Sequence, residues 1–305
     1  VTHRLEITLA QLRYFVAAAE HLSMTAAAEE KFVAQSAVSS AIAQLEARAG
    51  AQLFIRRRAK GLALTPAGRR LLDDVRTLLT GLDAAIDAAR DTDGEPRGTV
   101  RIGFFVTIAP FVLPEVLSRS KVRFPELLVE VEEMDAQSAA QALREGRVEL
   151  ALGYDFGIGD DLVREVVEAT PPYVLLAADH PLAQRESIGL RELGREKLVL
   201  LDLPHSREYF LALLGSVGFE PEIRHRTPSF ETVRAMVAHG HGFSILNQQP
   251  AHALAYDGGV VAAVQISDPV EPLPIVITTM QGTRQSARAA AIAGIIREVF
   301  ADRQR

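Results

Sequence analysis

The chain has no cysteine among its 305 residues. That excludes a structural disulfide, a thiolate metal site and a thiol redox switch. Although 48% of the residues are hydrophobic, no uninterrupted apolar run reaches the ~20 residues that a membrane-spanning helix needs. The opening stretch VTHRLEITLA does not have the pattern of a secretory signal. These absences point to a cytoplasmic protein of bacterial style with no membrane partner. Chemistry-bearing motifs are also scarce. GYDFGIG at 153–159 lacks the spacing and context of a dinucleotide-binding loop. HGH at 239–241 offers two imidazoles but no third ligand nearby in sequence, so no metal is expected. There is no nucleophile elbow and no Ser, His and Asp set in a recognisable context. The expectation is a protein that is not an enzyme and carries no cofactor.

Charge of one sign is unevenly distributed along the chain. Residues 1–90 carry 12 Lys and Arg against 9 Asp and Glu, a net +3, and the remainder carries a net −9. A whole-chain charge of −6 therefore conceals a mildly basic head on an acidic body. A net +3 is modest for a nucleic-acid partner, so binding should depend on two heads presented together.

Residues 23–64 hold the strongest signal. Ser23 or Thr25 can cap a short helix in which Ala26, Ala27 and Ala28 allow close packing. Phe32 is expected to end that helix as a core anchor, and 33–35 to form a turn. Ser36 is expected to cap a second helix running to about Arg48. Val38, Ile42 and Leu45 fall at i, i+4 and i+7, the spacing of a buried stripe. Gln35, Ser36, Ser39, Ser40 and Gln44 are left outside, short hydrogen-bonding side chains suited to phosphates and base edges. Gly50 stops the helix. Residues 53–55 read as a strand. Arg56, Arg57, Arg58 and Lys60 then straddle a turn at Gly61, as a basic wing. This is the layout of a winged helix-turn-helix. Thr25 and Val38 complete the set expected to meet the duplex.

These residues resemble the LysR-type transcriptional regulators: Ala26-Ala27, the run VAQSAVS at 33–39, Ile42, Leu45-Glu46, Leu53-Phe54, Arg56 and LTPAG at 64–68. The resemblance continues through GFFVTIAPFVLP at 103–114, HPLA at 180–183 and SFETVRAMVA at 229–238, followed by GHGFSIL at 240–246. It covers about the whole chain. The sequence departs from that family at Ala34, where Ser is usual, near Ser40 and Ala41, where an Arg and a Gln are usual, and at Asn247, where Pro is usual. The missing Arg removes one phosphate contact that the resemblance would supply. The family's peroxide sensors work through cysteines of the effector domain, and this chain has none.

Residues 66–90 read as one long helix, with Thr65 as N-cap and Pro66 at its first position. Leu71, Leu72, Val75, Leu78, Leu79, Leu82 and Ile86 form an apolar stripe expected to pair two subunits. The resemblance implies that this helix links two heads and ends in a polar hinge over 91–98. From 99 onward strands and helices alternate, the order of parallel sheets with ligands at strand C-terminal ends. Strands are expected over 100–103, 127–132, 148–153, 173–178, 198–201, 222–225, 243–246 and 275–279. The expected architecture is a winged helix-turn-helix head (1–65), a linker helix and hinge (66–97), and an α/β effector domain (98–305). That domain would have two Rossmann-like lobes of the periplasmic-binding-protein type. Lobe I takes 98–169 and 275–305, and lobe II takes 170–274.

A small molecule should bind between the lobes. The loop 104–107, with Phe105 and the Thr107 hydroxyl, precedes a helix and is expected to form an anion-accepting N-terminus. Ser229 should cap the helix beginning at Phe230 and offer the same from the other lobe. His205, Asn247 and Tyr154 follow strands. The resemblance places the positions of Thr107, His205 and Asn247 near the effector. The reading is a ligand-responsive regulator, dimeric or tetrameric and nucleoid-associated. It would bind an imperfect palindrome in double-stranded DNA, contact RNA polymerase, and respond to a small organic acid. The alternative, a two-lobe solute-binding protein, leaves the basic head unexplained.

Overall fold

A computed structural model describes residues 7–57, 61–90 and 96–303, excepting the side chains of residues 56, 57, 61, 83, 84 and 87–90. The chain folds as two compact units, residues 1–91 and, apart from 144–147, residues 92–305.

The first unit opens with a helix that was not anticipated, α1 (Leu9–His21). Thr8 accepts the Gln11 N–H at 3.2 Å and the Gln11 side chain accepts the Thr8 N–H at 2.9 Å, a reciprocal capping box. α2 (Met24–Glu30) begins at Ser23, whose hydroxyl accepts the Ala26 N–H at 3.3 Å. α3 (Gln35–Ala49) starts two residues earlier than expected. Its N-cap is Ala34, with no side-chain cap, so Ser36 lies inside the first turn and does not cap the helix. Phe32 is not a core anchor: it is 95% exposed, and its φ of +54° turns the side chain away from the core. Phe15, Ala18, Ala27, Val38, Ile42, Leu45 and Leu53 fill that core instead. Gly50, at φ +65°, ends α3 in the left-handed conformation.

β1 (Phe54–Arg57) and β2 (Gly61–Leu64) pair antiparallel, from Phe54 opposite Leu64 to Arg57 opposite Gly61. The Glu46 carboxylate straps α3 to this hairpin by accepting the Leu53 and Phe54 N–H groups at 2.7 and 3.1 Å. α4 (Pro66–Arg90) follows, and Thr65 accepts the Gly68 N–H at 2.9 Å. The apolar stripe of α4 is divided. Leu72 belongs to the head core and Leu71 packs against it. Val75 is also buried within the chain, whereas Leu78 and Ile86 are exposed. The early part of the stripe therefore serves its own subunit, because the helix leaves the hairpin alongside α1. The later part is only partly covered, with Leu79 and Leu82 half-buried.

The second unit holds two lobes. In lobe I, β3 (Gly98–Phe105), α5 (Ala109–Arg123), β4 (Leu127–Met134), α6 (Ala136–Arg144), β5 (Leu150–Tyr154) and β6 (Leu162–Thr170) precede the crossing. Lobe II contains β7 (Tyr173–Ala177), β8 (Ser187–Ile188), a 3-10 turn (Leu190–Leu193), β9 (Leu198–Leu201), α7 (Ser206–Ser216), β10 (Ile223–Thr227), α8 (Phe230–Ala238), β11 (Ser244–Leu246) and β12 (Val261–Ile266). The chain then returns through β13 (Leu273–Met280) and closes with α9 (Ala287–Arg303). Lobe I is a sheet in the order β4-β3-β5-β13-β6. Lobe II combines β11-β7-β12-β8 with the pair β10-β9, bridged where Leu198 meets Phe243.

The sheets are mixed, not parallel. β13 runs antiparallel to both β5 and β6, and β7 runs antiparallel to β11 and β12. The cause is the double crossing: β6 leads out of lobe I, β13 leads back in, and a returning strand enters the sheet from the opposite end. β6 and β12 were not anticipated. β6 is a sheet edge with Val163 and Val166 exposed, so its apolar pattern is weak.

Candidate functional site

Two sites take shape, one in each unit. In the first, α3 turns Val38, Ile42 and Leu45 inward. Val38 is 0% exposed, so this position belongs to the core and not to a duplex-facing set. Gln35, Ser36 and Ser40 are exposed, Ser39 is half-buried, and Thr25 is exposed on α2. Gln44 is exposed but engaged, accepting from the buried Gln11 amide at 2.9 Å. It ties α3 to α1. Arg56 and Arg57 lie on β1. Arg58 and Lys60 fall outside the described residues. Glu30 is the acid nearest the turn, and it is engaged locally by the Lys31 ammonium at 2.6 Å and the His21 ring at 2.8 Å. The hydrogen bond from Lys31, with help from His21, holds its carboxyl below the usual range.

In the second unit, residues from both lobes converge. β3 extends to Phe105, so the first half of the expected loop is strand. Phe105 lies in the core of lobe I, 5.1 Å from the Tyr154 ring. Thr107 is buried and stands one residue before the N-cap of α5, which is Ile108. Thr107 is therefore not the cap, and Pro110 removes one of the N–H groups that an anion would use. The Thr107 hydroxyl instead engages the phenol of Tyr154. Tyr154 also accepts a hydrogen bond from the Gln248 amide at 3.1 Å. Burial pushes its hydroxyl up to about 12, against the opposing effect of those two hydrogen bonds.

Asn247 donates to the Thr170 carbonyl at 3.1 Å and to the Tyr209 hydroxyl at 3.4 Å. Tyr173 donates to the Gln248 carbonyl at 2.7 Å. Burial raises the Tyr209 and Tyr173 hydroxyls as well. All three phenols are thus neutral hydrogen-bonding groups at physiological pH.

Thr107, Tyr154, Phe230 and Asn247 line one enclosed space together with Phe156, Ser206, Tyr209 and Gln248. Its free volume is about 10 Å³, room for about one water molecule. No lysine or arginine is among the lining residues. Three expected residues stand elsewhere. Phe105 lies behind the wall. Ser229 is exposed and spends its hydroxyl capping α8, accepting the Thr232 N–H at 3.2 Å. His205 stacks on Phe156 at 6.4 Å and 25°, held at φ +66° ahead of α7. Ser206, in the strand-to-helix turn with His205, lines the space, whereas Phe156, Tyr209 and Gln248 were missed. Their shared wall arises from contacts distant in sequence, although Gln248 adjoins an expected residue.

Behind the wall, Arg234 is 2% exposed. It pairs with Glu231 at 3.1 Å and donates to the His252 and Leu254 carbonyls. Among the described residues no helix is long and apolar enough to cross a membrane, and no three His, Cys, Asp or Glu side chains are grouped to hold a metal.

The chain matches two family descriptions, a bacterial regulatory helix-turn-helix protein of the lysR family over residues 9–69 and a LysR substrate binding domain over residues 93–301. It is 30% identical over 302 residues to a probable hydrogen peroxide-inducible genes activator of Streptomyces viridosporus, covering 98% of this chain and 96% of that one. It resembles the crystal structure of a putative LysR family regulator from Pseudomonas aeruginosa at 31% identity and a TM-score of 0.65, covering 95% and 98% of the two chains. A hydrogen-peroxide-bound cysteine-to-serine variant of OxyR from Corynebacterium glutamicum is similar at 25% identity and a TM-score of 0.61, covering 97% and 95%.

Proposed function

The chain belongs to the LysR family of DNA-binding transcriptional regulators, and we propose that a small organic effector bearing a carboxylate controls it from between the lobes of its second unit. The observation that carries this reading is the convergence of Thr107, Tyr154, Phe230 and Asn247, from both lobes, on one enclosed space. The aromatic walls suit an apolar body. The hydroxyls and amides suit a carboxylate held by neutral donors, which gives an affinity in the micromolar to millimolar range. The effector must bind the two lobe arrangements with different affinity, because equal affinity would shift nothing.

Thr107→Val is the direct test. In a thermal-shift screen of aromatic and aliphatic carboxylates, the wild type should be stabilised by about 2.7 kcal/mol at one hundred times Kd. The variant should lose that shift and keep its DNA binding. A normal response by Thr107→Val, or ligands found only among cations and neutral molecules, overturns the carboxylate.

The names of the relatives favour a second reading, a response to hydrogen peroxide. With no cysteine there is no thiol to oxidise, so peroxide would act by reversible binding. The water-sized space beside Thr107 and Tyr154 suits that. A thermal shift with millimolar peroxide but with no carboxylate would favour it.

On the DNA side, Thr25, Gln35, Ser36, Ser39 and Ser40 would face the duplex, with Arg56, Arg57, Arg58 and Lys60 on its phosphates. The operator would be an imperfect palindrome, with RNA polymerase contacted on it. Pairing of subunits would use the later part of the α4 stripe, the exposed Leu78 and Ile86 with the half-buried Leu79 and Leu82. Leu78 is 52% exposed, so a charge there costs the isolated subunit little. Leu78→Asp should give monomers in analytical ultracentrifugation and weak DNA binding with an unchanged fold. An intact dimer would move the interface elsewhere.

A further inference from the structure

We propose that Phe32 reads a base: its ring packs on the 5-methyl group of a thymine in the major groove, beside the N-terminus of α3. Phe32 is more exposed than any other large hydrophobic side chain among the described residues, at 95%. It also holds φ at +54°, a left-handed conformation that a bulky side chain adopts only at a cost. Both features count against the isolated fold, and glycine or asparagine would relieve both at once.

The backbone fixes this outward pose. The Phe32 N–H bonds to the Glu29 carbonyl at 3.2 Å and the Val33 N–H bonds to the Ala28 carbonyl at 3.0 Å, closing α2. Val33 then packs on the head core. The ring is left on the surface in the turn between the two helices of the helix-turn-helix, three residues before the exposed Gln35 and Ser36. That end of the second helix is the part that approaches base edges in this motif. The thymine methyl is the apolar group in the major groove, and Phe is among the side chains that contact it. The neighbouring acid Glu30 is already paired with Lys31 and His21, so it does not repel the duplex. The family assignment brings DNA to α3, and Phe32 is a specificity element beyond that assignment.

The test uses the full-length protein and a duplex that the wild type selects from a randomised pool. Phe32→Asn, which tolerates the left-handed backbone, should melt at the same temperature as the wild type or higher. It should bind the selected duplex about fivefold more weakly or worse and show a relaxed preference for thymine at one position of each half-site. Replacing that thymine by uracil removes only the methyl. This should weaken the wild type and leave Phe32→Asn unchanged. The proposal is overturned if Phe32→Asn binds the selected duplex as tightly as the wild type. It is overturned equally if selected and scrambled duplexes weaken alike, if uracil at the selected thymines changes neither protein, or if the wild type selects no duplex.

Discussion

Gly242→Ala is expected to destabilise the second lobe severely. Gly242 holds φ at +132°, a conformation that L side chains rarely adopt, and an added Cβ would fall on the Lys197 carbonyl, 2.8 Å from its carbon. That carbonyl is already committed: it accepts the Phe243 N–H at 2.9 Å, while Val199 donates to the Phe243 carbonyl at 2.8 Å. The close approach lets the strand after Gly242 join β9, which connects the β10-β9 pair to the rest of the lobe. Backbone strain adds about 1–3 kcal/mol and overpacking against a fixed backbone about 1–3 kcal/mol more. Chemical denaturation should show the second unit destabilised by several kcal/mol, with loss of any effector response, since Leu246, Asn247 and Gln248 lie just downstream. A variant as stable as the wild type would mean that the two strands part without consequence.

Gly68→Ala should have the complementary effect on the head. A Cβ at Gly68 would collide with the Leu53 carbonyl, with the carbonyl carbon and a Leu64 methyl both at 3.0 Å. Leu53 cannot retreat easily. Its carbonyl accepts the Thr65 N–H at 3.0 Å, its N–H is held by Glu46 at 2.7 Å, and its side chain is in the core. The start of α4 would have to lift from the hairpin at a cost of about 1–3 kcal/mol or more. DNA binding should fall sharply, while the effector unit should retain its melting temperature and ligand response. Normal DNA binding by Gly68→Ala would show that α4 need not seat against the hairpin.

Much of this was legible in local pattern. The stripe Val38, Ile42 and Leu45 is a helical period, Gly50 is a stop signal, and the span of α4 follows from Thr65-Pro66 at one end. Other features depend on what lies opposite, which periodicity does not encode. Leu72 and Leu78 belong to the same stripe, but one is buried in the head core and the other is left exposed. Phe32 has the composition of an anchor and the backbone of a turn residue. The capping box of Thr8 and Gln11 is a local pattern of the same kind as Thr65-Pro66, marking the start of α1. The direction of β13 and the meeting of Gln248 with Tyr154 follow from a chain that crosses between lobes twice, a property of topology. The missed wall residues share that cause.

The small size of the space beside Thr107 and Tyr154 also sets a speed for any ligand that must enter it. A site with room for about one water molecule cannot admit a larger organic molecule until the lobes part. Arrival of such an effector is then a gated event: the observed binding rate rises with concentration only until it meets the rate of opening, and there it levels off. Apparent affinity is lowered by the fraction of time the lobes are closed. A substitution that props them apart, far from any ligand contact, would act as a sensitiser.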